Sequence, residues 1–216
     1  MLTNQLYDKY TFAEEEVEAI STSLANSSRG GRGLFTGCVL HELSNGHLAP
    51  LPLWSNTPLI ASSYAHNIWR YEQPIPASFL EQGDPGIARF FDLMNVTVVM
   101  AHEPQWRRYF SERPQQYILK EHRKDFMIFE RLGYTSSYVL EGEVRELSQN
   151  SNSVTLTPLT DRVVIKFKYA PFVMASGCTV SPFQVAPDLT LLELSRCPIG
   201  APIRLQSISP LKRLLS

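Results

Sequence analysis

The sequence predicts an α+β protein, with an N-terminal α/β layer followed by an antiparallel β-sheet or β-sandwich region. Three observations predict it. Between residues 11 and 112, apolar positions at helical spacing alternate with short, wholly apolar runs. From Tyr117 the apolar period falls to two, leaving one polar face. Fifteen prolines punctuate the 216 residues, which suits turns and edge strands. Hydrophobic residues make up 44% and charged residues 19%, a globular composition, and the length fits one large domain or two small ones. The change of period sets an expected division into an α/β subdomain over 1–115 and a β-rich subdomain over 116–216.

The elements follow in order. Thr11 and Glu14 form a T-x-x-E capping box, and Ala13, Val17, Ile20 and Leu24 continue at helical spacing. Glu14, Glu15 and Glu16 occupy the first turn, where the helix dipole favours carboxylates. The helix is expected to end near Asn26, before Gly30 and Gly31. Residues 32–41 (RGLFTGCVLH) read as a buried strand. Residues 48–58 read as a proline-punctuated apolar loop that buries its Leu and Trp side chains across the domain. Asp84 and Pro85 start a second helix, striped by Ile87, Phe90, Phe91 and Met94 and stopped at Asn95. Residues 96–100 (VTVVM) form a strand buried on both faces, and Glu103-Pro104 opens a short helix with Trp106 and Phe110 on one side.

Beyond Tyr117, strands are expected at 117–119, 126–129 and 138–147, followed by a polar turn over 148–153. Further strands are expected at 154–159, 162–169, 189–194 and 203–208. In 162–169, Val163, Ile165, Phe167 and Tyr169 face one way, with Lys166 and Lys168 on the other. The uncharged stretch 169–187 contains Pro171, Pro182 and Pro187, which excludes a continuous membrane-spanning helix. No apolar leader follows Met1.

A net charge of −1 gives no electrostatic reason to expect nucleic acid. The charge is uneven, with 5 Lys/Arg against 10 Asp/Glu in residues 1–100 and 15 against 11 afterwards. Much of that difference sits in the first helix, so it suggests two subdomains more than an anionic partner. None of the three cysteines, Cys38, Cys178 and Cys197, has CxxC spacing. Cys178 and Cys197 share the β-rich half and form one candidate pair; three small buried thiols are the alternative.

Motifs for self-sufficient catalysis are missing. Arg29-Gly30-Gly31-Arg32-Gly33 follows a helix and precedes a strand, whereas a phosphate loop needs strand, loop, then helix, so a turn is expected. There is no G-x-S-x-G, H-E-x-x-H or D-x-D. His41, Glu42 and His47 lie close together but straddle a strand end and a turn; no metal and no cofactor is expected. Trp106-Arg107-Arg108-Tyr109-Phe110 reads as an amphipathic helix with solvated arginines, with a phosphate or lipid headgroup as the other use. The sequon Asn95-Val96-Thr97 opens a buried strand and is discounted as a glycosylation site.

The best candidate surface is 54–71. Its expected substrate-binding residues are Trp54, Asn56, Tyr64, His66, Trp69 and Arg70. Aromatic faces stack on the C–H face of a sugar, while amide, imidazole and guanidinium groups bond its hydroxyls. The alternative is that these aromatics close the core beneath an irregular loop. A third arrangement, a soluble enzyme, would assemble a deep pocket from His41, His66, Glu72, His102 and Asp92.

Three segments taken in order carry a family resemblance: Leu51-Pro52-Leu53 with Pro58-Leu59-Ile60, then Phe91 to Val99 (FDLMNVTVV), then Val163 to Pro171 (VVIKFKYAP). Together they resemble the extracytoplasmic portion of bacterial polytopic membrane proteins of the GT-C glycosyltransferase-like class. That class includes the 6-pyruvoyl-tetrahydropterin synthase-related and YfhO-like proteins. There a helix runs into a strand carrying asparagine-valine, and a β-rich region follows with a tyrosine-x-proline element. This chain has Thr97-Val98 where lysine-tyrosine is usual, and Phe172 where tryptophan or glycine often follows the proline. The resemblance implies an extracytoplasmic location and an accessory part without catalytic residues of its own. It also implies two partners, the transmembrane part of the same polypeptide and a glycan or lipid-linked sugar. Pro210 to Leu215 is compatible with a juxtamembrane link. A free-standing carbohydrate-binding module using the Trp54–Tyr71 aromatics is the alternative function.

Overall fold

The computed structural model describes residues 14–37, 42–43, 46–47, 51–60, 73–149 and 153–207. Thr11, Cys38, His41, Tyr64, His66, Trp69, Arg70, Tyr71, Glu72 and residues 150–152 and 210–215 lie outside them, and so do the expectations that rest on them. The chain divides into two compact units, one of residues 1–75 and 95–136 and the other of 76–94 and 137–216.

In the first unit, helix α1 (Glu14–Ser28) leads through a turn into β1 (Arg32–Thr36). The turn is residues 29–31, the first part of the glycine-rich segment, as its helix-then-strand position implied. A side chain at Gly31 would run into the Thr97 side chain and the Asn95 carbonyl, so only glycine lets the two backbones approach. A short hairpin, β2 (Glu42–Leu43) with β3 (Gly46–His47), precedes α2 (Leu51–Trp54) and β4 (Leu59–Ile60). Strand β5 (Val96–Ala101), helix α5 (Pro104–Ser111, numbered after α3, Ala77–Leu80, and α4, Gly83–Met94, of the second unit), and strands β6 (Tyr117–Arg123) and β7 (Phe126–Arg131) complete the unit.

These strands make a five-stranded sheet in the order β4-β1-β5-β7-β6, parallel across β4-β1-β5 and antiparallel from β5 outward. Every residue of β1 and β5 is buried, as parallel strands covered on both faces require. One face packs on α1: Val17, Ile20 and Leu24 meet Phe35, Val98, Met100, Phe126 and Ile128. On the other face Phe110 of α5 lies 5.6 Å from the Phe129 ring and 4.8 Å from that of Tyr117. Strands β6 and β7 therefore belong with the α/β layer and not with the strands that follow, although their period-2 pattern placed them beyond the division at 115. Val98 to Ala101 pair in register with Glu130 to Met127, and that pairing decides the assignment.

The second unit opens with two helices, α3 (Ala77–Leu80) and α4 (Gly83–Met94). Rings of Phe79 and Phe90 sit 5.5 Å apart, and Arg89 donates to the Val185 carbonyl at 2.9 Å. Its strands are β8 (Val139–Glu141), β9 (Val144–Gln149), β10 (Ser153–Pro158), β11 (Arg162–Lys168), β12 (Val173–Ala175), β13 (Thr179–Ala186), β14 (Leu189–Ser195) and β15 (Ile203–Ser207). They form two antiparallel four-stranded sheets, β12-β15-β10-β9 and β13-β14-β11-β8. Leu156, Ile203 and Leu205 from one sheet and Val163, Ile165, Leu192 and Leu194 from the other share one core, which makes the pair a sandwich.

Four local readings change. The expected strand 138–147 is two strands in different sheets. The chain crosses between them at Gly142, whose φ of +81° is left-handed and where an added Cβ would come within 2.5 Å of the Arg162 carbonyl. The stretch 171–187 holds β12 and β13. Pro182 is accommodated because β13 is an edge strand. Lys166, expected on a solvated face, is buried, because α4 packs on β11. The expected loop 48–58 contains the α2 turn; it buries Leu51 but leaves Leu53 and Trp54 exposed.

Candidate functional site

Of the six expected substrate-binding residues, Trp54 and Asn56 fall among the described residues. Ser55 fixes their setting: its hydroxyl donates to the Leu51 carbonyl at 2.7 Å and accepts from the Thr57 amide at 3.2 Å. Ser55 and Thr57 are buried by this, and Asn56 between them takes φ 49°, a conformation asparagine tolerates. The result is a tight turn that holds the Trp54 indole 49% exposed with Asn56 exposed two residues on. Trp54 therefore does not close a core. Tyr64, His66, Trp69 and Arg70 lie outside the described residues.

The other sequence candidates resolve into structural roles. Trp106 and Phe110 are buried, Trp106 donating to the Gln73 amide oxygen at 3.2 Å. The two arginines beside them are answered by carboxylates, Arg107 by Asp125 at 3.2 Å and Arg108 by Glu112 at 2.7 Å. The hydrogen bond that Arg108 donates to Glu112, and the charge of that carboxylate, hold the guanidinium above its ordinary pKa. Asn95 is fully buried. Its amide nitrogen donates to Ser136 Oγ at 3.0 Å and its oxygen accepts from Tyr134 OH at 3.2 Å, so the sequon is closed to modification in the folded chain.

His102 is partly buried, with its ring 4.7 Å from that of Phe126 and Nδ1 3.7 Å from Glu103. It belongs to the first unit and Asp92 to the second. Glu42 and His47 are Cα partners in the β2–β3 hairpin. Among the described residues no group of three His, Cys, Asp or Glu side chains converges as metal ligands, and no helix is long and apolar enough to cross a membrane.

In the second unit Cys178 and Cys197 form a disulfide, with Cα atoms 4.6 Å apart. It ties the start of β13 to the turn after β14. Arg162 bonds Glu141 at 2.7 Å and Glu193 at 2.6 Å above the Phe183 ring. The hydrogen bonds of Glu141 and then Glu193 raise its pKa. Asp188, in the β13–β14 turn, accepts from the Ser78 hydroxyl and, at 3.1 Å, from the Ser78 amide, tying the start of α3 to the sandwich. Partial desolvation pushes this carboxyl up. The Ser78 bonds, its own amide and the Lys168 charge outweigh that and hold its pKa below the ordinary value.

One concave feature went unforeseen: a groove of about 480 Å³ between α1 and β6. Its helix side is a stripe at three- and four-residue spacing from Glu15 to Ser27, and its strand side is Lys120 and Glu121. A β-bulge between Leu119 and Glu121 places those two neighbours together at the groove. The helical spacing of Glu15, Glu18, Thr22 and Asn26 was visible in the sequence; the bulge and the α1–β6 adjacency were not.

No protein-family model, curated protein or solved structure matches this chain.

Proposed function

We propose that this chain is an extracytoplasmic accessory module of a membrane glycosyltransferase-like protein of the GT-C class, shaping the acceptor or glycan side without catalysing alone. The observation that carries the reading is the Cys178–Cys197 disulfide, because disulfides form and persist in oxidising compartments outside the cytosol. The elements holding the family-like segments also support it. Asn95 ends a helix in left-handed conformation and leads into the buried strand β5, and Val163 to Lys168 form a sandwich strand that runs on toward Tyr169 and Pro171. In this reading the partners are the transmembrane part of the same polypeptide and a glycan or lipid-linked sugar, with no role for nucleic acid. Membrane-impermeant lysine labelling of intact cells and spheroplasts that express the natural protein tests it. Labelling of this segment before lysis is expected; labelling only after lysis overturns the reading.

The exposed Trp54 favours one second reading, a carbohydrate-binding module. It predicts retention on immobilised saccharide that Trp54→Ala abolishes. A variant retained as well as the wild type rules that use of Trp54 out.

A further inference from the structure

We infer that the groove between α1 and β6 binds a small ligand carrying a protonated amine together with hydroxyl groups. The inference does not rest on the accessory reading, because the groove lies wholly within the first unit. Its volume falls in the range of small-molecule sites.

Ser27 supplies the first reason. It lines the groove and is fully buried, yet its hydroxyl has no hydrogen-bond partner. The neighbouring Ser28 shows the ordinary outcome near a helix end, donating to the Ala25 carbonyl at 3.1 Å. A buried hydroxyl left without a partner costs free energy, and a ligand in the groove removes that cost.

The charges supply the second. Glu16 is answered by Lys124, Glu121 by Arg123 and Lys120 by the buried Glu130. Glu15 and Glu18, one helical turn apart on the groove side of α1, have no ion-pair partner among the described residues. The local balance is therefore negative. Ionised carboxylates only accept hydrogen bonds, so the matching ligand is a donor with positive charge. The hydroxyls of Thr22 and Ser23 and the Asn26 amide continue the stripe and both donate and accept, which matches the hydroxyls of a polyol.

Titration calorimetry of the full chain with D-glucosamine, with D-glucose and N-acetyl-D-glucosamine as comparisons, tests the inference. Saturable binding of glucosamine is expected, weaker by about tenfold or more for both comparison sugars, since each lacks the cation. Glu18→Gln and Ser27→Ala are each expected to weaken glucosamine. Ser27→Ala should leave the melting temperature of the free chain unchanged or raised, because the hydroxyl it removes has no partner. Three results would overturn the inference: equal binding of glucose and glucosamine, affinity unmoved by both substitutions, or no saturable binding to the wild type. A melting temperature lowered by Ser27→Ala would also count against it, since it would reveal an internal partner for that hydroxyl.

Discussion

The two units place their ion-pair clusters differently. In the first, Glu130 on β7 is 3% exposed and is held between Arg29 and Lys120, whose heads stay partly in water. In the second, Arg162 lies at the surface between Glu141 and Glu193, with its guanidinium over Phe183. A buried carboxylate needs its partners because removing one leaves a desolvated charge, whereas an exposed pair contributes little beyond geometry. The sandwich instead gains restraint from a covalent tie, the Cys178–Cys197 bond. The first unit is thus expected to be sensitive to packing and buried charge, and the second to redox state.

Substitutions can break that contrast, beginning with the largest expected effect. Phe110→Ala removes a fully buried ring that meets Trp106, Tyr109, Tyr117 and Phe129, and should cost about 3–5 kcal/mol in urea unfolding. Cys178→Ala with Cys197→Ala opens a link spanning 19 residues and should cost about 3 kcal/mol, seen as a lower melting temperature that reductant no longer changes. Gly142→Ala forces a Cβ against the Arg162 carbonyl at a left-handed position and should cost about 1–3 kcal/mol, with hydrogen exchange rising first at β8 and β9.

Acid gives the smallest effect. Asp188 has its pKa lowered in the folded chain, so its contribution is present above the unfolded value and is lost as pH falls through the folded one. Because the carboxyl is largely exposed, that contribution is a fraction of a kcal/mol. Asp188→Asn should flatten the corresponding part of an acid-unfolding profile; an unchanged profile would remove Ser78–Asp188 from the account.

How far these features were legible depends on whether they are local. The α1 stripe, the Asp84-Pro85 start, the Asn95 stop and the Glu103-Pro104 start are encoded within a few residues, and the structure has all of them within two residues. Sheet membership is not local. Nothing in 117–131 distinguishes a hairpin that extends the first sheet from one that begins the second, since either register satisfies its alternation. The sheet change at Gly142 was hidden because Tyr138 to Leu147 keeps its period across the crossing. Lys166 was misplaced because helix α4, from a distant part of the chain, packs on β11. At the candidate surface, the display of Trp54 depends on the Ser55 and Thr57 bonds, which composition does not reveal. The groove depends on a bulge that places Lys120 and Glu121 together on the α1 side.

The most direct measurement is a non-reducing digest of the natural protein, alkylated at the moment of lysis and read by mass spectrometry. The account predicts that the peptides holding Cys178 and Cys197 are recovered joined to each other. Recovery of both as separately alkylated thiols would contradict the disulfide and, with it, the case for an oxidising compartment.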